Sequence, residues 1–400
     1  MNKPSQVINY VNLGHFLVHY AMLIFAAAVV IMAPVFGMTY AQMLPCATPG
    51  FVIFGAGSLL TGWLGDRWSR RHMMVLFFVG LGLSMVATGL VNTPLQLTLT
   101  LSAIGVFASI YHPVGTAMLI SYAERRGREV GINGVWGNFG VACAALATGA
   151  LCQFLGWRWA FILPGLVTIA IGVGFLLAVK DEKVSAVRVS QQAAPRIGAR
   201  DMKRVIIAMV VTVIASSTTF NAITVVIPKL FAERLTELTQ SPAVIGFIAA
   251  GVYLFGALAQ YVIGHLIDRH SLKSIFLPVA IMVAPLLALA AQLSGVALLL
   301  VCIGIVIGIF GQVTVNDAMV AKYTNEEWRS RAYAVRYFVG FTAAGASVAM
   351  VAWLHDRGGS GLLLQAFAGL CVLIIIGALV FPNDGKPEVA AGGVAGARQT

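Results

Sequence analysis

Long stretches without any charged side chain are the feature of this chain that most restricts its fold. Residues 4–65 contain no Asp, Glu, Lys or Arg, and eight further intervals of 19 to 52 residues are equally free of charge. A bilayer core is about 30 Å thick and takes roughly 20 mostly apolar residues as one helix. The intervals therefore predict an all-α integral membrane protein.

The lengths of these intervals give the number of helices. Three intervals are long enough for two spans each and six fit one span, which makes twelve. The double intervals are 4–65, 72–123 and 274–316, and the single ones are 130–157, 159–179, 205–228, 238–267, 337–355 and 358–383. The composition agrees, since 10% charged residues is far below the roughly 25% of soluble domains. An even number of spans predicts both termini on the same side.

The distribution of basic residues predicts the orientation. Of the 26 Lys and Arg residues, all but four fall in the loops and tails on the side of the N-terminus, and the exceptions are Arg158, Lys229, Arg234 and Arg357. The positive-inside rule then predicts a multi-pass protein of a bacterial inner (plasma) membrane with both termini cytoplasmic. Because the basic residues mark span ends and do not form one patch, the net charge of +11 does not predict nucleic-acid binding.

The two halves of the chain repeat each other. Span 2 ends with Gly-Trp-Leu-Gly-Asp-Arg from Gly62, and span 8 ends with Gly-His-Leu-Ile-Asp-Arg from Gly264, an offset of 202 residues. A polar stretch without apolar periodicity separates the halves. We predict a six-helix bundle at 1–179, a cytoplasmic linker at 180–204, a second six-helix bundle at 205–382 and a cytoplasmic tail at 383–400.

Twelve spans in two parallel repeats, with G-x-L-x-D-R after spans 2 and 8, resemble the major facilitator superfamily of secondary transporters. The resemblance implies two bundles that rock about a cavity lined by spans 1, 4, 7 and 10, with a cytoplasmic gate at the repeated motif. The gate residues would be Gly62, Asp66, Arg67, Arg71, Gly264, Asp268 and Arg269. Within the superfamily, Tyr111-His112-Pro113 in span 4 and Gly137-Asn138-Phe139-Gly140 in span 5 are similar to the fosmidomycin-resistance-like branch.

Polar residues inside the apolar spans are the candidates for a substrate and proton cavity, because ionisable groups in membranes mark pathways and relays. His15 and His19 share one helix face. Asp317 interrupts an apolar stretch, and Arg336 is its expected partner. The competing interpretation is that the histidines are neutral and bonded to neighbouring helices, and that Asp317 is interfacial. The predicted set is His15, His19, His112, Trp136, Asn138, Asn221, Gln312, Asn316, Asp317 and Arg336.

The leading hypothesis for function is a proton-coupled secondary transporter that moves a small organic solute outward, with histidine or Asp317 as proton carrier. The alternative is a copper-type importer of a transition metal or metal complex, with His15, His19 and His112 as ligands. No phosphate-binding loop, H-E-x-x-H or G-x-S-x-G motif occurs, so we do not expect an enzyme. We expect a monomer that binds its solute, protons and lipid, and no cofactor or nucleic acid.

Overall fold

The computed structural model describes residues 2–124, 126–181, 199–323 and 326–383, and these contain eleven long apolar helices. The first half contains α1 (Pro4–Val35), α2 (Tyr40–Arg67), α3 (Arg70–Gly89), α4 (Pro94–Tyr122), α5 (Arg126–Phe154) and α6 (Trp157–Ala178). The second half begins with α7 (Ala199–Arg234), α8 (Pro242–Ile267), α9 (Leu272–Ala290) and α10 (Gly295–Tyr323). Most of the predicted linker and the tail from residue 384 lie outside the described residues.

The last helix, Glu326–Val380, holds two spans. It is 55 residues long, far more than one crossing needs. Its backbone leaves helical geometry at Gly358 and Gly359, and Gly359 has φ 62° and ψ −162°. Glycine adopts a positive φ without the steric cost that a side chain brings. The break separates α11, residues 326–357, from α12, residues 360–380. The prediction of an all-α protein with twelve spans in two six-helix repeats is confirmed.

Successive helices run in opposite directions, so their ends lie on two faces. We call the face that carries the end of α6 and the start of α7 the linker face, and the opposite one the far face. The linker face has the helix ends near 67–70, 122–126, 267–272 and 380, and the far face has those near 35–40, 89–94, 154–157, 234–242 and 290–295.

Two of the basic residues that depart from the charge asymmetry stabilise helix ends on the far face. Arg158 donates to the carbonyl oxygen of Val91 at 3.0 Å, beside the end of α3. Arg234 donates to the carbonyl oxygen of Ala291 at 2.8 Å, beside the end of α9. A cation interacts favourably with the partial negative charge at a helix C-terminus. Each arginine contacts the end of the third helix of its own half, and this gives both a structural reason to lie on that face.

The repeat also appears in the side chains that cap helices on the linker face. Ser69 and Ser271, 202 residues apart, accept hydrogen bonds from the amides three residues later at 3.2 and 3.3 Å and begin α3 and α9. Such an N-cap contributes about 1 kcal/mol. Arg71 donates to a carbonyl near the end of α6 at 2.6 Å, and Lys273, also 202 residues later, donates to one after α12 at 2.6 Å. Both halves therefore close their linker-face ends by the same contacts.

The two halves contact each other from the middle of the membrane to the far face. In the pair α5 and α8, Gly149 lies against the backbone carbonyl of Pro242, and in the pair α2 and α11 a Cβ at Gly55 would lie 2.5 Å from the amide nitrogen of Thr342. Small residues permit such close approach of helices in a membrane. Where α1, α5, α7 and α8 meet, they line a cavity of only about 10 Å³. This part of the interface is tightly packed.

Candidate functional site

A widened turn in α4 positions the first candidate side chains. Tyr111–Gly115 form a π-helical turn within α4. Pro113 has no amide hydrogen, so the regular ladder of α-helical hydrogen bonds cannot continue through it. Such single π-turns occur frequently at functional sites. The turn brings Tyr111 and His112 against α1, where their rings lie 5.1 and 5.4 Å from that of His15, centroid to centroid.

His15, His19 and His112 form one histidine cluster. Nε2 of His15 lies 3.2 Å from Nε2 of His19. One ring nitrogen of each histidine lies within 4.8 Å of the other two, and all three side chains are half-buried. His112 is ten residues before the end of α4, about 15 Å from the linker face at 1.5 Å per residue. Three ionisable rings thus meet near the middle of the membrane.

A buried polar network holds His15 in place. Nδ1 of His15 lies 2.6 Å from the carbonyl oxygen of Asn133 in α5. The side-chain amide of Asn133 donates to Asn12 and to the hydroxyl of Tyr111, at 2.9 Å in each case. A carbonyl oxygen only accepts hydrogen bonds, so Nδ1 of neutral His15 carries the proton. Its Nε2 therefore presents a lone pair toward His19.

Two glycines leave room for these rings. A Cβ at Gly137 would lie 2.7 Å from Nε2 of His15, and a Cβ at Gly14 would lie 2.9 Å from the ring of Tyr111. Carbon atoms in good contact are about 3.5–4.0 Å apart. The close packing of α1, α4 and α5 around the cluster therefore depends on the missing side chains at these positions.

Sequence reasoning did not select Asn12, Tyr111 or Asn133 as site residues. Asn12 is three residues before His15 and shares its helix face, so helical spacing could have found it. The key contact of Asn133 is made by its backbone carbonyl. Every residue has a backbone carbonyl, so the identity of the residue at position 133 does not predict this hydrogen bond. The carbonyl reaches the imidazole only because α5 packs against α1.

Asp317 in α10 and Arg336 in α11 form an ion pair. Nη1 of Arg336 lies 2.7 Å from Oδ1 of Asp317, as expected from the sequence. The arginine side chain is 11% exposed and that of the aspartate 37% exposed. Arg336 also donates to the carbonyl oxygen of Val313 at 3.3 Å. The guanidinium is therefore held within the second half, whereas part of the carboxyl side chain is accessible.

Gln312, Asn316 and Asn221 were predicted to line the cavity; the structure buries the first two and leaves Asn221 half-buried. Gln312 and Asn316 are each only 2% exposed. The amide of Asn316 donates to Oγ of Ser216 at 2.7 Å, which joins α10 to α7. Asn221 donates to the carbonyl oxygen of Ser217 in its own helix at 2.8 Å. Asn316 thus joins two helices and Asn221 bonds to the backbone of its own helix, whereas the buried Oε1 of Gln312 accepts no hydrogen bond within the described part of the chain.

Two of the predicted residues lie where the halves meet. The amide of Asn138 in α5 donates to Oε1 of Gln260 in α8 at 2.5 Å. The ring of Phe341 in α11 packs on His112 with 4.7 Å between centroids. Trp136 is half-buried and has no hydrogen-bond partner within the described part of the chain. The contact between Phe341 and His112 joins the histidine cluster to the second half.

The first copy of the repeated motif makes its contacts within the first half. Arg70 pairs with Asp66 at 3.0 Å, and Arg67 lies over a neighbouring tryptophan ring at 4.5 Å. A Cβ at Gly62 would lie 3.1 Å from Pro113, so this glycine permits the approach of α2 to α4. Asp66, Arg67, Arg70 and Arg71 help to line a cavity of about 340 Å³.

The second copy makes fewer contacts. Asp268 and Arg269 are exposed, and no ion pair of Asp268 occurs among the described residues. A Cβ at Gly264 would meet only Thr314, at 3.9 Å. In the ranges that the structure covers, the two copies of the motif are therefore not equivalent in their interactions.

A further polar group, the far-face cluster, was not predicted. It consists of Tyr40, Lys229, Glu233, His355 and Ser360. Glu233 lies 3.1 Å from Nζ of Lys229 and 2.9 Å from Nε2 of His355, and it accepts a hydrogen bond from Ser360. Tyr40 comes from the other half, with its ring 5.3 Å from Nζ of Lys229 and 5.0 Å from the ring of His355. The spacing of four between Lys229 and Glu233 was the available signal.

The sequence matches a known protein family and is similar to characterised relatives. The model of the Major Facilitator Superfamily matches residues 11–236 and 205–399. The puromycin resistance protein pur8 of Streptomyces alboniger is 30% identical over 133 residues, which are 32% of this chain and 26% of that protein. The chain thus covers about a quarter of the length of this curated relative.

Solved structures are similar over nearly the whole chain. A bacterial homolog of the human lysosomal transporter Spinster, inward-facing and unoccupied, has a TM-score of 0.77 at 13% identity and covers 94% of this chain and 96% of that one. A D-xylose-proton symporter has a TM-score of 0.72 at 14% identity, with coverage of 94% and 96%. At such low identity the likeness concerns the fold alone.

Proposed function

Because the chain belongs to the Major Facilitator Superfamily, we propose that it is a secondary transporter that exports a small organic solute in exchange for protons. Its two six-helix halves would rock about the space between them, so that this space opens to one side of the membrane at a time. The tight packing toward the far face supports assigning this structure to the state that opens on the linker face.

The linker face is proposed to be cytoplasmic, in a bacterial inner membrane. The charge asymmetry supports this orientation, since 22 of the 26 basic residues belong to the loops and tails of that face. The capping roles of Arg158 and Arg234 account for two of the exceptions. In this orientation the structure corresponds to an inward-facing state.

The observation that carries proton coupling is the ion pair between Asp317 and Arg336, at 2.7 Å. A charge inside a membrane protein is stable only when it is paired or neutralised. A proton on Asp317 would cancel the negative charge that faces Arg336 at this contact, and so weaken the attraction that holds α10 to α11 here. Protonation would thereby be linked to the state of the transporter.

The name of the puromycin resistance relative supports export of a small organic solute. The finer resemblance of Tyr111-His112-Pro113 to the fosmidomycin-resistance-like branch remains a prediction that also points to export. The alternative of a copper-type importer gains no support from the relatives compared, and we do not propose a metal as the transported solute.

Transport by protein reconstituted into lipid vesicles tests the proposal, with puromycin as the probe solute. An inward-directed proton gradient should drive puromycin out of loaded vesicles, and Asp317→Asn should abolish this movement while puromycin exchange without a gradient continues. Asp201→Asn is the matched control, because Asp201 pairs with Arg204 at 3.4 Å at the start of α7. Gradient-driven export that persists in Asp317→Asn would remove this carboxyl from the mechanism.

A further inference from the structure

The histidine cluster is separate from the ion pair between Asp317 and Arg336. Its three side chains come from α1 and α4, both in the first half, and none contacts Asp317 or Arg336 in the described contacts. Every member is half-buried and so retains some accessible surface. The three imidazoles can therefore bind a ligand independently of that ion pair.

The spacing of the ring nitrogens matches that of ligands around one metal ion. Two nitrogens bound to a tetrahedral Zn²⁺ at about 2.05 Å are separated by about 3.3 Å. The Nε2 atoms of His15 and His19 are 3.2 Å apart. The third histidine, His112, has a nitrogen no more than 4.8 Å from both, so a movement of about 1.5 Å completes the set. An ion would take the place of the proton between His15 and His19.

The surroundings of His15 have the form that metal ligands require. A histidine that binds a metal through one ring nitrogen commonly donates the other N–H to a carboxylate or a backbone carbonyl, which fixes the tautomer and orients the ring. Nδ1 of His15 donates to the carbonyl oxygen of Asn133 at 2.6 Å, which leaves Nε2 for the ion. The ring of Tyr111 stacks on the imidazole with 5.1 Å between centroids and 18° between planes.

The donor set selects the class of metal. Neutral imidazoles suit Zn²⁺, Cu²⁺, Ni²⁺ and Fe²⁺, whereas Mg²⁺ and Ca²⁺ prefer carboxylate and carbonyl oxygens. Three histidines with a fourth, open position are a known arrangement for zinc. We propose that His15, His19 and His112 bind one Zn²⁺ ion through three imidazole nitrogens, as a bound ligand of the first half and not as the transported solute.

Titration of the purified, tag-free chain in detergent with Co²⁺, followed by displacement with Zn²⁺, tests the site. Four-coordinate Co²⁺ absorbs visible light and reports the ligand geometry directly. We expect one equivalent of Co²⁺ to bind with this absorption and one equivalent of Zn²⁺ to remove it. His19→Gln and His112→Gln should each abolish stoichiometric binding, and two variants keep the test valid if one of them fails to fold.

His265→Gln is the matched control. His265 is exposed, and its Nδ1 lies 3.0 Å from the carbonyl oxygen of Tyr261 in its own helix. This variant should bind Co²⁺ as the unchanged chain does. Absence of stoichiometric binding by the unchanged chain, or binding that survives both His19→Gln and His112→Gln, would overturn the zinc site. Proton-driven transport is measured separately, so failure of either proposal leaves the other intact.

Discussion

The substitution Gly137→Ala tests how α1 and α5 pack around His15. The new Cβ would lie 2.7 Å from both Nε2 and Cε1 of the imidazole. A comfortable contact needs about 3.5 Å, so the ring must retreat by about 0.8 Å. If the ring moves along its hydrogen bond to Asn133, the present 2.6 Å becomes about 3.4 Å, beyond the usual range for N–H···O.

The magnitude follows from two contributions. Overpacking of a close interface costs about 1–3 kcal/mol, and the weakened hydrogen bond adds about 1 kcal/mol. We expect the free energy of unfolding to fall by about 2–4 kcal/mol, measured as a lower midpoint of thermal unfolding in detergent by tryptophan fluorescence. Gly134→Ala is the control, because a Cβ there would meet nothing within 4 Å. Equal midpoints for the two variants would refute the packing argument.

Two further substitutions probe the closed side of the interface. Glu233→Gln removes a charge that Lys229 and two hydrogen-bond donors share, so we expect the free energy of unfolding to fall by about 1–3 kcal/mol. Glu237 is exposed, so Glu237→Gln should leave the midpoint of thermal unfolding unchanged. Equal losses in the two variants would argue against a stabilising role of the far-face cluster. Gly149→Ala places a Cβ against the carbonyl of Pro242, so about 1–3 kcal/mol should be lost. A Cβ at Gly251 would meet nothing within 4 Å, so Gly251→Ala should keep the original midpoint of thermal unfolding. An unchanged midpoint in Gly149→Ala would contradict the close contact between α5 and α8.

The sequence predicted the number of spans and the repeat, because both depend on features that the chain displays locally. Charge-free length reports the bilayer thickness, and the offset of 202 residues between Gly62 and Gly264 reports duplication. The break between α11 and α12 was visible as the charged residues near Gly358. In the structure one helix ends and the next begins at this point, where the backbone of Gly358 and Gly359 leaves helical geometry.

The candidate site was only partly accessible to sequence reasoning. The spacing of four put His15 and His19 on one helix face, but whether His112 meets them could not be predicted. The structure brings a ring nitrogen of each of the three within 4.8 Å of the other two. Residue type could not separate polar groups that face a cavity from those that join helices. Asn316 belongs to the second kind, because its amide donates to Ser216 on α7, a contact that depends on tertiary packing.

We propose that the two halves rock between a state open on the linker face and a state open on the far face, and that a proton on Asp317 shifts the equilibrium between these two states. Distances between spin labels test it, with one pair at Trp68 and His270 on the linker face and another at Leu155 and Leu238 on the far face, all exposed. Lowering the pH should change the two distances in opposite directions, and Asp317→Asn should remove this response. Distances that change in the same direction, or a response that persists in Asp317→Asn, would contradict the account.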